Sequence, residues 1–128
     1  MKLNPDCIRD ILLHLETLSF GERIYPNQLY EVLTNYSHDE INYSILKMHE
    51  AGFINAIIDD RLDESIGIEI IDITYNGHQF LDNVRSNKVW SVTKKVATDI
   101  GSTSVQAITQ IATNVITEII KQTIFPLS

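Results

Sequence analysis

The sequence predicts an α+β, mainly helical fold: a winged helix-turn-helix domain with a two- to three-stranded antiparallel wing, followed by C-terminal helices. Three observations lead there. A sharply marked short helix runs from a Ser37 cap to Gly52, two β-rich runs (residues 53–59 and 66–73) follow it at once, and two segments with helical apolar spacing precede it. Helix, helix, helix, hairpin is the chain order of a winged helix. The architecture by itself does not choose between DNA, RNA and protein as partner.

Taken in order, Asn4 can cap a first helix, Pro5 suits its first position and the Asp6 carboxylate complements its dipole. Ile8, Ile11, Leu12, Leu15 and Leu18 then recur at threes and fours, which predicts one buried stripe. Arg23-Ile24-Tyr25 falls where a winged helix has its small first strand. A second helix starts at Pro26 or Asn27 and carries Leu29, Val32 and Leu33. In the third, Ser37 and Glu40 form a capping box, and Ile41, Ile45 and Met48 share the face that packs on the domain. Its other face carries Asp39, Glu40, Asn42, Tyr43, Leu46 and Lys47, of which Asn42, Tyr43, Leu46 and Lys47 are the candidate partner-contact face. A helix that reads the major groove brings Arg or Lys to guanine edges, whereas this one has a single Lys against two acids.

The run from Asp59 to Ser65 holds four acids and one Arg, a composition that repels a phosphate backbone and reads as a solvated loop. It lacks the spacing of a calcium loop. Thr74 then caps a helix that buries Phe80, Leu81 and Val84. Gly77 permits a close backbone approach there, and His78 is expected to satisfy a buried hydrogen bond.

Lys2-Leu-Asn-Pro-Asp-Cys-Ile-Arg-Asp10, the turn Glu50-Ala-Gly-Phe-Ile54 and Ile73-Thr-Tyr-Asn-Gly-His-Gln-Phe-Leu-Asp82, with Trp90 downstream, resemble a domain-of-unknown-function family of small proteins from bacteria, phages and prophages. The resemblance covers residues 2 to about 95 and implies a winged-helix-like fold in a mobile-element setting. It carries over no catalytic or binding residue.

From Asn87 a further helix places Val89, Val92 and Val96 on one side, with Lys88, Lys94 and Lys95 as the densest positive charge in the chain. Gly101-Ser102 breaks it. The final helix, from Thr103 or Ser104 to Ile124, carries Val105, Ile108, Ala112, Val115 and Ile119 on one stripe, widened by Ile111, Ile116 and Ile120, and Pro126 stops it. Such a stripe is more apolar than one helix can hide on a small domain. Val105, Ile108, Ile111, Val115, Ile116, Ile119 and Ile120 are therefore the candidate oligomerisation residues; the alternative is a helix folded back over its own domain. The chain divides in this reading into a winged-helix domain, residues 1–86, and a helical extension, residues 87–128.

Charge follows the same division. Seventeen acids against ten Lys and Arg give −7, and residues 1–86 alone hold −9 against +2 in the remainder. An acidic head disfavours DNA binding by a monomer. The single cysteine, Cys7, excludes an internal disulfide and reads as structural. His14, His38, His49 and His78 lack zinc-site spacing, and no phosphate-loop, dinucleotide or nucleophile-elbow motif occurs, so no metal, cofactor, small-molecule substrate or enzymatic activity is predicted. With no signal peptide and no membrane span, the expected location is the cytoplasm. The leading functional expectation is a non-enzymatic interaction module that self-associates through its C-terminal helices. The first alternative is a dimeric DNA-binding regulator using Arg85, Lys88, Lys94 and Lys95 on phosphates, with DNA bound only by an oligomer. The second is an acidic inhibitor of a host nuclease or defence protein.

Overall fold

Local capping and apolar spacing set six helices and one sheet among the residues that the structure, a computed structural model, describes: 1–59 and 67–124. The order is α1 (Pro5–Glu16), α2 (Pro26–Val32), α3 (His38–Glu50), β1 (Ile54–Asp59), β2 (Gly67–Ile73), α4 (Tyr75–Val84), α5 (Asn87–Ile100) and α6 (Val105–Ile124). The fold is α+β and mainly helical. The expectations for the acidic run after Asp59, for Ile66 and for Pro126 fall outside the described residues. Two compact units divide the chain, Met1–Gln79 and Phe80–Ser128.

In the first unit the Asn4 side chain accepts from the Asp6 amide and Pro5 opens α1, as the sequence predicts. Cys7, Ile8, Ile11, Leu12 and Leu15 are buried, whereas α1 ends at Glu16 and Leu18 lies past it, half-buried. Leu18 thus leaves the predicted stripe because Thr17 caps the helix, its hydroxyl donating to the His14 carbonyl at 2.6 Å. In α2 only Leu29 is buried; Val32 is 51% exposed, which corrects its assignment to the core. Seven residues make barely two turns, so one residue meets the core and its neighbours three places on do not. α3 presents Ile41, Ile45 and Met48 inward, each at most 1% exposed. Burying such a side chain contributes about 1.5–3 kcal/mol, so this face outweighs any single cap.

β1 and β2 pair antiparallel, with Ile54 opposite Ile73 and Ile58 opposite Ile68. The register slips between Asn55 and Ala56, leaving Ile71 as an extra residue on β2. That bulge resolves a parity conflict. Ile68 and Ile70 face inward, and Ile73 can pair with buried Ile54 only if one residue is looped out between them. Ile24 adds an antiparallel bridge to Ile70, with N–H to O distances of 3.1 and 2.9 Å.

α4 starts where predicted, the Gly77 amide donating to the Thr74 hydroxyl at 3.1 Å. Phe80, Leu81 and Val84 are at most 3% exposed. In the second unit, Ser86 caps α5, Gly101 in the left-handed conformation ends it, and Ser104 caps α6 through the Ala107 amide at 3.1 Å. α5 and α6 pack on each other as a hairpin. The buried side of α5 is Val89, Trp90, Thr93 and Ala97; Val92 is 42% exposed and Val96 half-buried, so the three valines expected on one side divide between the buried face and its border.

Thr93 is fully buried, and among the described residues its Oγ1 is the buried side-chain oxygen without a hydrogen-bond partner. An orphan hydroxyl costs stability that an isosteric methyl does not. Thr93→Val is expected to raise unfolding stability by about 1–2 kcal/mol in a urea titration, and a loss instead would mean that the hydroxyl is satisfied in solution.

Candidate functional site: two interaction surfaces

The outward face of α3 assembles Asn42, Tyr43, Leu46 and Lys47 together, all half-buried. Two of the four are already engaged. Asn42 Oδ1 accepts from the Tyr30 hydroxyl at 2.6 Å, and the Tyr30 ring stacks on His38 at 3.8 Å with 5° between planes. Lys47 Nζ lies 2.8 Å from Glu50 Oε2 and 5.4 Å from the Tyr43 ring centre. The Glu50 hydrogen bond is the main reason that the Lys47 pKa rises. The helix's lysine is therefore turned to an acid of its own turn, and Tyr43 and Leu46 are left as its apolar contact groups.

Beside this face lies a groove of about 480 Å³, lined by Tyr25, Pro26, Asn27, Tyr30 and Asn42 on one side and Ile57, Asp59, Gly67, Ile68 and Glu69 on the other. Its charged lining residues are both acids, and Glu69 pairs with Arg23 at 3.2 Å. Sequence reasoning missed it, because Tyr25 and Ile57 meet only once the hairpin folds beside α2. The available signal was Ile57, a large apolar residue on the outward, 51% exposed register of β1.

The second surface is the α5–α6 hairpin. Lys88, Val92 and Val96 from α5 and Ile111, Asn114, Val115, Glu118, Ile119 and Gln122 from α6 line a groove of about 430 Å³. The seven predicted oligomerisation residues divide in three here. Ile108 is 1% exposed, its surface taken up within the chain; Ile111, Val115 and Ile119 line the groove; Val105, Ile116 and Ile120 flank it, Ile120 being 48% exposed. Along that flank Thr109, Thr113 and Thr117 each donate a hydroxyl to the carbonyl four residues back, at 2.8, 2.8 and 2.9 Å. At 3.6 residues per turn the aliphatic positions of α6 span roughly 180°, against about 100° on a helix that covers one core. Val92 and Val96, which the spacing sets on one side of α5, line this groove.

The predicted phosphate contacts spread over the α4–α5 junction and α5. Arg85 lies 2.6 Å from Asp82. Lys94 Nζ sits 5.7 Å from the Trp90 ring centre, Lys88 rims the groove, and Lys95 is exposed. His78 is exposed, not buried as expected, and lines a surface groove beside Leu18 and Asp72.

The segments that carry the family resemblance do structural work. Thr74 donates its hydroxyl to the Gly52 carbonyl, and its amide donates to the Phe53 carbonyl at 2.9 Å. Gly77 packs so close that a Cβ there would lie 2.1 Å from the same Phe53 oxygen. At the other end Asn4 Nδ2 donates to Glu40 Oε2 at 3.0 Å, and the Tyr36 hydroxyl donates to Asp10 at 2.6 Å. Burial, then the Asp10 carboxylate, pushes the Tyr36 phenol up. Burial also pushes the Cys7 thiol up to about 11, which keeps it protonated and unreactive at neutral pH. The Asn4 bond, then the Ser37 amide, holds the Glu40 carboxyl below the usual range. Its contribution is present above the ordinary carboxylate pKa and is lost as pH falls through the lowered one. Glu40→Gln is expected to flatten the acid limb of a stability–pH profile, and an unchanged limb would deny Glu40 this role.

Among the described residues no helix is long and apolar enough to cross a membrane. No solved structure matches the chain. An uncharacterized protein of Haemophilus influenzae (strain ATCC 51907 / DSM 11121 / KW20 / Rd) is 31% identical over 121 residues, 94% of this chain and 99% of that protein. The family model described as hypothetical protein (DUF2513) matches residues 2–104. With its opening cap, its Gly52–Phe53 turn and its Thr74–Gly77 seat inside that match, the chain belongs to the DUF2513 family.

Proposed function

We propose that the chain is a non-enzymatic protein-interaction module, built on a winged helix and self-associating through α5 and α6. The winged-helix reading rests on the order α1, α2, α3, β1, β2 and on the bridge from Ile24 to Ile70, a single residue pair where a winged helix has its small first strand. The observation that carries self-association is the α6 surface: Ile120 and Ile124 are 48% and 62% exposed beside a groove floored by Ile111, Val115 and Ile119. An apolar strip of this extent is a contact surface on a protein in water. Sedimentation of the full chain at micromolar concentration is expected to give a dimer or larger species, and Val115→Glu a monomer of unchanged helicity. A monomeric wild-type chain overturns the proposal.

A DNA-binding dimer is the second reading, favoured by the exposed Lys88, Lys94 and Lys95 on one helix. Against it stand the −9 of residues 1–79 and the Lys47–Glu50 pair on α3. Gel-shift titration with duplex DNA at low salt is expected to show no retardation; binding with a steep salt slope would promote this reading instead.

A further inference from the structure

We infer that the groove between α5 and α6 receives α6 of a second copy, running antiparallel about a two-fold axis at Val115. The inference rests on the self-association proposed above and adds its geometry. Residues 101–104 join two helices packed side by side, so α5 and α6 run antiparallel within a protomer. Taken in antiparallel order along the groove, its lining residues pair off in steps of four, Val96 with Ile111, Val92 with Val115 and Lys88 with Ile119. Val115 is the midpoint of this apolar floor. A two-fold axis there sets Ile111 against Ile119 of the partner subunit and Val115 against its own equivalent, so each bulky side chain meets another.

Charge selects the direction. All charge on the described part of α6 lies in its C-terminal half, at Glu118 and Lys121. Parallel pairing would stack each on its like. Antiparallel pairing about Val115 brings the partner's Glu118 level with residue 112, and by the same stepping with position 95 of α5. Lys95 stands there, two turns from Lys88 and therefore above the same rim of the groove. Opposed helix dipoles favour the same direction.

The area suffices. Twenty residues give α6 a length of about 30 Å and fourteen give α5 about 21 Å, so two helices of about 10 Å width offer roughly 500 Å² in flat projection, which corrugation brings toward the roughly 800 Å² per partner of a stable interface. Among the groove residues Asn114, Gln122 and the charged pair form the rim, and the floor is aliphatic, the arrangement of an interface core within a polar border.

The test is thiol cross-linking of the full chain in a Cys7→Ala background, which removes the protein's own cysteine. Ile111→Cys and Ile119→Cys proteins, mixed and oxidised with diamide, are expected to form a covalent heterodimer, while each alone does not. In the antiparallel dimer the same position on two copies is eight residues apart along the axis, about 12 Å, and a disulfide reaches only about 7 Å between Cα atoms. Cross-linking of each variant with itself and not in the mixture means a parallel pair and overturns the inference while self-association stands. A wild-type chain that sediments as a monomer overturns both. As a second readout that keeps every aliphatic side chain of the groove floor, Lys95→Glu and Glu118→Lys are each expected to raise the dimer Kd about tenfold, and the double exchange to restore it. Two losses that merely add would also overturn the inference.

Discussion

Gly77→Ala is expected to cost the first unit about 3 kcal/mol or more, much of the 5–15 kcal/mol that holds an ordinary domain together. In an exposed helix the same exchange stabilises by about 1 kcal/mol, because alanine is the better helix former. Here the new methyl would stand 2.1 Å from the Phe53 carbonyl oxygen and 2.6 Å from Ile73 Cγ2. The isoleucine can turn. The carbonyl cannot withdraw without breaking its bond from the Thr74 amide, so the start of α4 or the end of α3 must shift. Urea unfolding followed by circular dichroism measures the loss. Asn76→Ala, an exposed site one residue earlier, is the control and should move the midpoint little. A Gly77→Ala protein as stable as its parent would mean that α4 does not sit on Phe53 as described.

Trp90→Ala should be comparably severe, at about 3–5 kcal/mol for the loss of a large buried ring. Trp90 is 4% exposed and is the protein's single tryptophan. Two interactions meet at this ring, and their magnitudes separate them. An exposed cation over an indole contributes about 0.5–1 kcal/mol, well below the burial term. Lys94→Ala should therefore shift the melting curve slightly and Trp90→Ala strongly, with Trp90→Phe between them. Equal losses from the first two would place the stabilisation in the charge and not in the packing.

Elements whose signal is local were legible in the sequence. The Asn4-Pro5-Asp6 start, the Ser37–Glu40 box, the Thr74 cap and the Gly101 break each depend on contacts within a few residues, and each stands where the sequence puts it. Gly77 was readable as a close approach, although not what it approaches. Failures came where spacing defines a face without saying what covers it. The spacing of Val89, Val92 and Val96 sets them on one side of α5 without saying that Val89 is buried with Trp90, Thr93 and Ala97 while Val92 and Val96 line a groove. Val32 failed because α2 is too short to bury two turns. The bulge at Ile71 was invisible in the apolar run, since every residue there suits either face. The groove between Tyr25 and Ile57 required tertiary contact, which periodicity does not encode.

The three threonines spaced four apart on α6 also bear on how closely anything can approach it. With each hydroxyl turned to its own backbone, the strip offers methyl groups, and a neighbouring helix meets no donor that it must answer. Bonds of this kind also draw carbonyls away from their amides and bow the helix that bears them.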